Sequence, residues 1–253
     1  MTPADRAASA LIDTWARLMA VHPEAWVESR DGLSACATGI PLPGLNGVWS
    51  ARRDPDPAEL ERLLGGLAAR GLPHMLQLRA GSDAAALAVP GRLGMTLDAD
   101  VPLMRLDDPA RLERALTAVD ELVVRELMPD EASVHARVAA AGFDEDPRHF
   151  ERLLRPSVLA AEGVRTYIGQ VAGKTVTTAL GVTSEDYVAI FNVATPKAHR
   201  GRGYGAAITA RSVADGLASG AEWAWLQSSP SGYRIYEALG FTTLEQWHTW
   251  VRL

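Results

Sequence analysis

The stretch that decides the fold runs from Tyr187 to Gly205 and reads YVAIFNVATPKAHRGRGYG. Seven of its first eight residues are apolar or aromatic, several of them β-branched, which predicts a buried strand. Pro196 ends this strand, because proline lacks the N–H group that a sheet ladder needs. The glycines then predict a tight turn into a helix. Free N–H groups at a helix start, beside Arg200 and Arg202, predict a site for phosphate or pyrophosphate.

Two well-known phosphate loops fit this stretch poorly. A P-loop ends in Gly-Lys-Ser/Thr, whereas this loop ends in Gly-Tyr-Gly-Ala, so a P-loop is excluded. The dinucleotide fingerprint G-x-G-x-x-A fits Gly201, Gly203 and Ala206, with Glu222 about 20 residues further on. That fingerprint follows its strand directly and opens a βαβ unit. Here six residues separate Ala194 from Gly201, and the strands before them predict hairpins.

A third pattern fits better. Arg200-x-x-Gly203-x-Gly205, after a strand that ends in Asn-Val-Ala-Thr, resembles the acyl-CoA pyrophosphate loop of the GNAT N-acetyltransferases. Closer to the carboxyl end, the segment from Tyr236 to Phe241 resembles the Tyr-x-x-Leu-Gly-Phe signature that closes many GNAT domains. The resemblance covers residues 119–253 well and the first half of the chain only in outline.

The order of predicted elements in the second half recurs in the first. Both halves read strand, loop, helix, strand, short helix, Leu-Gly and strand, which indicates an internal duplication. We therefore expect an α/β (α+β) fold of two tandem GNAT-like halves, each a mixed, mostly antiparallel twisted sheet flanked by helices. The predicted domains are residues 1–108, a degenerate half without the cofactor loop, and 119–253, an acetyl-CoA-binding domain. Residues 109–118 form the predicted linker helix.

The first half lacks the features that would bind a cofactor. The first half has Arg52-Arg-Asp-Pro-Asp-Pro57 where the second half has its glycine loop, and Asp54 and Asp56 would repel a pyrophosphate. Pro55 and Pro57 remove N–H donors from the same turn. Pro90 stands at the position that corresponds to Tyr236. We expect the first half to be a scaffold, with a binding module for a different ligand as the alternative.

The resemblance implies roles for particular residues. Acetyl-CoA would bind in a V-shaped opening between the strand ending at Ala194 and the strand ending at Ser228. The contacts that it implies for the cofactor are Val193, Ala194, Thr195, Arg200, Gly201, Arg202, Gly203, Tyr204, Gly205, Ala206 and Ser229. Tyr236 would be catalytic and protonate the leaving thiolate, with Tyr233 as the alternative. A deprotonated amine would attack the thioester directly. No base is assigned, because the strand before the loop carries no carboxylate, and His149 is only a candidate neighbour of the acceptor.

Composition limits the remaining possibilities. The chain has 253 residues, 47% of them hydrophobic, and a net charge of −6 without a basic block, so we expect no nucleic-acid partner. The single Cys36 excludes an intramolecular disulfide, and no spacing of His, Cys and Asp predicts a metal site. No apolar run approaches the ~20 residues of a membrane span. We expect a soluble cytoplasmic protein with no membrane partner.

The sequence thus predicts an N-acetyltransferase that moves an acetyl group from acetyl-CoA, its cosubstrate, to a primary amine in a ternary complex, without a metal. The acceptor stays open between a small-molecule amine and an amine of a peptide or protein. The alternative is a non-catalytic acyl-CoA-binding protein with a regulatory or interaction role. A third possibility is a structural protein that uses its first half as an interaction surface.

Overall fold

The computed structural model describes residues 1–253, apart from the side chain of Pro129. The described residues divide into two compact units. Unit 1 comprises Met1–Leu103 and Thr243–Leu253, and unit 2 comprises Met104–Thr242.

Helices and strands alternate along the described chain. The helices are α1 (Pro3–Ala20), α2 (Pro57–Ala69), α3 (Ala84–Leu87), α4 (Val89–Arg92), α5 (Ala110–Thr117), α6 (Ala132–Phe143), α7 (Pro147–Leu153), α8 (Pro156–Leu159), α9 (Tyr204–Ala218) and α10 (Tyr233–Ala238). The strands are β1 (Trp26–Arg30), β2 (Leu33–Ala37), β3 (Asn46–Ser50), β4 (His74–Arg79), β5 (Thr96–Leu106), β6 (Val123–Glu126), β7 (Val164–Val171), β8 (Lys174–Thr183), β9 (Tyr187–Ala194), β10 (Trp223–Gln227) and β11 (Phe241–Arg252).

In unit 1 the strands lie in the order β1-β2-β3-β4-β11. The first three are antiparallel neighbours, β3 and β4 are parallel, and β4 pairs with β11 antiparallel. Helix α2 connects the parallel pair and buries Leu60, Leu64 and Leu67, which the helical period places on one face. These leucines share one hydrophobic cluster with Leu76 and Leu78 of β4.

In unit 2 the strands lie in the order β6-β7-β8-β9-β10. Strands β6 to β9 are antiparallel, and β9 and β10 form a parallel pair connected by α9. Gly216 allows α9 to approach the sheet closely, because an added Cβ would lie 2.6 Å from the Cβ of Val188. Val188, Ile190, Ala210 and Val213 bury the contact between helix and strand.

The predicted fold class is confirmed. Each unit has a mixed, mostly antiparallel sheet flanked by helices, and each contains one parallel pair joined by a long helix. The predicted domains stay a prediction, and the compact units divide the carboxyl end of the chain at a different position. Residues 243–253, expected in the second domain, group with unit 1 because β11 is one strand of 12 residues that pairs with β4 from Trp247 to Arg252.

Candidate functional site

The strand before the glycine loop carries a β-bulge. Phe191 of β9 lies opposite Leu180 of β8, and Ala194 lies opposite Thr178, so three steps on β9 match two steps on β8. Asn192 is within this interval and has φ 49°. Asparagine tolerates the left-handed region better than most residues, and a bulge changes the direction of the strand locally.

The parallel ladder between β9 and β10 ends before β9 does. Its Cα partners run from Tyr187–Trp223 to Ile190–Leu226. Beyond Ile190, the described residues of β9 pair with β8 on one side only. The other edge of residues 192–194 therefore presents backbone groups that need partners. This edge lies where the sequence analysis expects the V-shaped opening, and it includes Val193 and Ala194.

The loop after β9 leads into α9 with its backbone amides free. The first helical hydrogen bond runs from the Ala207 N–H to the Gly203 carbonyl, and Gly203 provides no side-chain cap. Among the described residues, no acceptor faces the N–H groups of residues 201–206. By contrast, Asp56 caps α2 and Asp146 caps α7 through their carboxylates. The start of α9 is therefore suited to an anion.

Three loop glycines give the backbone its shape and leave space at its surface. Gly201 has φ +76° and Gly203 has φ +81°, a region that other residues rarely adopt. An added Cβ would meet nothing within 4 Å at Gly201. At Gly205 the nearest atom would be Thr195 Oγ1, at 3.6 Å. A ligand can thus approach the amides of Gly201 and Gly205 closely.

The two arginines of the loop differ in their contacts. Arg200 donates from Nε to the Thr195 carbonyl at 2.9 Å and from Nη2 to the Gly142 carbonyl at 2.6 Å. Arg202 is exposed and makes no hydrogen bond or ion pair with the described residues. Both arginines were expected to face the phosphates. Only Arg202 has its whole guanidinium available.

Tyr204 is buried beneath the loop. Its side chain is 1% exposed, and its hydroxyl donates a hydrogen bond to the Glu121 carboxylate. An added Cβ on Gly203 would lie 3.1 Å from Val119 Cγ2. Residues 119–121 therefore support the start of α9 from below. Tyr204, expected as a cofactor contact through the loop, uses its side chain for this internal contact.

The predicted catalytic residue Tyr236 lies on α10 and is 9% exposed. It packs in the same hydrophobic cluster as Val193 and Ala206, and its ring lies 6.1 Å from that of Phe241. Its hydroxyl makes no hydrogen bond with the described residues. Burial raises the pKa of Tyr236 to about 12, so the phenol keeps its proton at neutral pH.

Ser229, the remaining predicted contact, lies at the entrance of α10. Its Oγ accepts a hydrogen bond from the Gly232 N–H at 3.3 Å and lies 3.1 Å from Ser231 Oγ. An added Cβ on Gly232 would lie 2.9 Å from Tyr236 Cε2 and 3.5 Å from Ser229 Oγ. Ser229 and Tyr236 are thus neighbours, and Ala206 of the loop packs against the hydrophobic cluster that contains Tyr236. The alternative donor, Tyr233, packs at the edge of the same cluster.

The corresponding turn in unit 1 is closed by its own side chains. Asp54 accepts two hydrogen bonds from Arg52, at 3.1 and 2.9 Å. Asp56 accepts from the Ala58 N–H at 3.0 Å, which satisfies the start of α2. A cavity of about 420 Å³ borders these residues, and carboxylates form much of its wall. The carboxylates of Asp54 and Asp56 and the pairing of Arg52 with Asp54 make this turn unsuited to a phosphate.

The candidate acceptor residue His149 lies on α7, and its Nδ1 is 3.6 Å from Glu145 Oε2. Among the described residues, no group of three His, Cys, Asp or Glu side chains is arranged to hold a metal ion. No helix in the described part of the chain is long and apolar enough to cross a membrane.

Several residues of the site were not found from the sequence. Glu121, Gly142 and Asp144 contact Tyr204, Arg200 and Lys197 across 83, 58 and 53 positions of the chain, respectively. No local pattern marks such distant contacts. The bulge at Asn192 also lacks a clear signal, because asparagine occurs in ordinary strands and turns as well.

Comparison with known structures identifies the fold. A GCN5-related N-acetyltransferase from Kribbella flavida superposes with a TM-score of 0.72 at 20% identity, over 99% of this chain and 96% of that one. A GCN5-related N-acetyltransferase from Sphaerobacter thermophilus superposes with a TM-score of 0.61 at 18% identity, over 90% of this chain and 75% of that one. A conserved protein of unknown function from Staphylococcus epidermidis gives 0.65 at 10% identity, over 90% and 94% of the two chains.

The chain therefore has the fold of the GCN5-related, or GNAT, N-acetyltransferases, and the resemblance seen in the sequence is confirmed at the level of the fold. No protein-family profile matches the sequence, and no curated protein is significantly similar to it.

Proposed function

We propose that unit 2 transfers an acetyl group from acetyl-CoA to a primary amine. The observation that carries this proposal is the row of amides at residues 201–206, which lack acceptors among the described residues. An uncapped helix start of this kind attracts phosphate oxygens. The fold adds support, since the Kribbella flavida protein that shares it is named an N-acetyltransferase.

The residues of the loop fit a pyrophosphate. Gly201 and Gly205 leave space for close approach to the backbone, and Arg202 supplies an unpaired positive charge. The Glu121 carboxylate, which would repel phosphate, accepts the hydrogen bond of Tyr204. In unit 1 the equivalent turn is filled by the Arg52–Asp54 pair. We propose one cofactor site per chain, with the unit 1 turn inactive.

When bound, acetyl-CoA would supply the acyl group as an activated thioester. The amides of residues 201–206 would hold its pyrophosphate, and the free edge of residues 192–194 would offer hydrogen bonds to its amide-containing arm. Tyr236 would present its hydroxyl to the sulfur from a largely apolar surrounding. These groups orient the thioester, while the surrounding apolar side chains exclude water.

The pKa of Tyr236 defines its role more closely. Burial raises this pKa to about 12, whereas an ordinary thiol has a pKa of about 8.5. Complete transfer of the phenol proton to a thiolate is therefore uphill. We propose that Tyr236 donates a hydrogen bond that stabilises the charge developing on the leaving sulfur. The incoming amine must arrive unprotonated, because a protonated amine has no lone pair for attack.

A second candidate is an acyl-CoA-binding protein that transfers nothing. It is favoured by one feature of β9, which reads YVAIFNVA and contains no carboxylate that could accept a proton from the amine. No described carboxylate or histidine contacts the Tyr236 hydroxyl either. Both candidates share the cofactor loop and differ in whether chemistry follows binding.

One experiment separates the candidates. Acetyl-CoA is titrated calorimetrically into the purified chain, which is then mixed with acetyl-CoA and a panel of primary amines while released thiol is measured. Binding with amine-dependent thiol release supports the transferase. Binding without release for any amine, small molecule or peptide, supports the binding protein. A chain that binds no acetyl-CoA contradicts both.

A further inference from the structure

The cofactor loop is attached to the end of α6 by its own basic side chains. Arg200 spans the gap, because its Nε contacts the Thr195 carbonyl at 2.9 Å and its Nη2 contacts the Gly142 carbonyl at 2.6 Å. Beside it, Lys197 Nζ lies 3.0 Å from Asp144 Oδ2. Two cations of the loop thus bind one helix terminus.

The backbones also touch at this point. A Cβ added to Gly142 would lie 2.8 Å from the Ala194 Cβ and 3.2 Å from the Thr195 nitrogen. Only glycine allows this approach without displacing the end of β9. The end of α6 therefore lies directly against the last residue of the strand whose free edge borders the proposed cofactor site.

The charges suit this arrangement. Carbonyl groups at the end of a helix carry partial negative charge, so cations there are stabilising. Arg200 and Lys197 occupy the carboxyl end of α6, whereas the amides of residues 201–206 form the positive end of α9. Of the two loop arginines, Arg202 is the one whose whole guanidinium group is available to bind a phosphate.

The segment beyond Gly142 is held by aromatic contacts. Phe143 stacks on Phe150 with ring centroids 5.7 Å apart, and Phe150 packs with Ala194 in one buried cluster. We call residues 142–149 the α6–α7 corner. It is fixed on one side by Arg200 and on the other by the cluster that includes the end of β9.

We propose that Arg200 is a positioning residue that couples the cofactor loop to the α6–α7 corner. Binding of pyrophosphate to the loop amides reduces the mobility of the loop. Because Arg200 bonds to the Gly142 carbonyl, the α6–α7 corner becomes less mobile as well. The coupling rests on the proposed function, which supplies its ligand. The hydrogen bonds of Arg200 to the Thr195 and Gly142 carbonyls are present in the free chain.

The test compares two arginines that are two residues apart. Arg200→Lys keeps the charge but replaces a planar fork, which donates to two carbonyls, with a single nitrogen. Arg200→Gln removes both the positive charge and the planar guanidinium group. Arg202→Lys and Arg202→Gln are the matched controls. Amide hydrogen exchange of residues 140–150 is measured with and without CoA, CoA affinity is measured by calorimetry, and thermal unfolding checks that each variant is folded.

In the free chain we expect exchange in the α6–α7 corner to rise about tenfold in both Arg200 variants, because a charge-assisted hydrogen bond is lost. The Arg202 variants should exchange like the wild type, and Arg202→Gln should bind CoA about tenfold more weakly. CoA should slow exchange in the corner of the wild type and of the Arg202 variants, but not of the Arg200 variants.

Three results would overturn the proposal. If Arg200→Lys matches the wild type in exchange and affinity while Arg200→Gln does not, then Arg200 serves as a charge for phosphate. If CoA binds the wild type without changing exchange in the corner, the coupling is wrong. If the wild type binds no CoA, the proposed function and the coupling both fail. Amide exchange of the free Arg200→Lys chain then tests only whether the hydrogen bonds of Arg200 stabilise the α6–α7 corner.

Discussion

Ile190 of β9 lies opposite Leu226 of β10, and within the described residues this pair ends the parallel ladder of unit 2. Up to this pair the two strands contribute to a buried core with α9. Beyond it, β9 bulges at Asn192 and has one free edge, and the glycine loop follows. The same two strands therefore provide the core and the opening next to it.

Replacing Gly205 by aspartate should weaken acetyl-CoA binding without destabilising the chain. Gly205 is in the first turn of α9, and its Cβ would meet its nearest neighbour at an ordinary distance of 3.6 Å. A carboxylate there repels phosphate, yet it favours the positive end of the helix by about 0.3–1 kcal/mol. Calorimetric titration and urea unfolding measure the two effects. A variant that binds acetyl-CoA as tightly as the wild type would remove the loop from the cofactor site.

Gly203 gives the contrasting control. Gly203→Ala places a side chain at φ +81° and 3.1 Å from Val119 Cγ2, so it should strain the backbone. We expect it to lose about 1 kcal/mol or more of unfolding free energy. If both variants lost the same stability, weak binding by Gly205→Asp would no longer report on the phosphate.

Tyr236→Phe should lower turnover while leaving acetyl-CoA affinity within a few-fold. The ring packs against Phe241 and should remain in place, whereas the hydroxyl makes no contact with the described residues. Loss of one donor to a developing charge costs on the order of 100-fold in rate at well-formed sites. Thiol release at saturating acetyl-CoA is the measurement, with Tyr233→Phe as the control. An unchanged rate in Tyr236→Phe would exclude it as the donor.

His135 should make stability depend on pH. It is fully buried, its Nδ1 lies 2.6 Å from Thr178 Oγ1, and burial lowers its pKa from 6.5 to about 4. The unfolded chain takes up a proton below pH 6.5 while the folded chain resists, so unfolding free energy falls from pH 6.5 to about 4. The loss is on the order of 3 kcal/mol.

Urea unfolding of the wild type and of His135→Gln across this pH range checks the assignment. The difference between the two should shrink as the pH falls, because the variant lacks the titrating group. His199→Gln, which alters a histidine of the loop, should keep the wild-type dependence. A pH dependence that survives in His135→Gln would assign it to other groups.

In unit 1, Arg79→Met should be strongly destabilising. The Arg79 side chain is 2% exposed and contacts Glu245 at 2.7 Å and Asp5 at 2.8 Å. Its loss removes the buried partner of the Glu245 carboxylate and leaves that carboxylate with the more exposed Arg53, so we expect a cost near the lower end of the range of about 3–5 kcal/mol for breaking a buried ion pair. Arg53 contacts the same two carboxylates but is 42% exposed, so Arg53→Met should cost less than about 1 kcal/mol. Equal losses would contradict this difference, which urea unfolding measures.

The central part of the fold could be predicted from short stretches of the sequence. The apolar run, the proline and the glycines predicted β9 and α9, and the structure has β9 at Tyr187–Ala194 and α9 at Tyr204–Ala218. These features depend on period and on backbone freedom, which a short stretch contains. The internal duplication remains a prediction, supported by the parallel pair and connecting helix found in each unit.

The contacts around the loop were not readable in this way. Arg200 binds a carbonyl 58 positions away, and the hydroxyl of Tyr204 binds a carboxylate 83 positions away. Such contacts depend on how α6 and residues 119–121 pack, which no local pattern determines. The grouping of residues 243–253 with unit 1 has no local sequence signal either, because the pairing of β11 with β4 joins residues far apart in the chain.

The measurement that tests the central claim most directly is calorimetric titration of acetyl-CoA and of NADH into the wild-type chain. We predict that acetyl-CoA binds at one site per chain and that NADH does not bind. Two acetyl-CoA sites would show that the turn around Asp54 and Asp56 was misjudged. NADH binding without acetyl-CoA binding would contradict the account, because Gly201, Gly203 and Ala206 would then serve a dinucleotide.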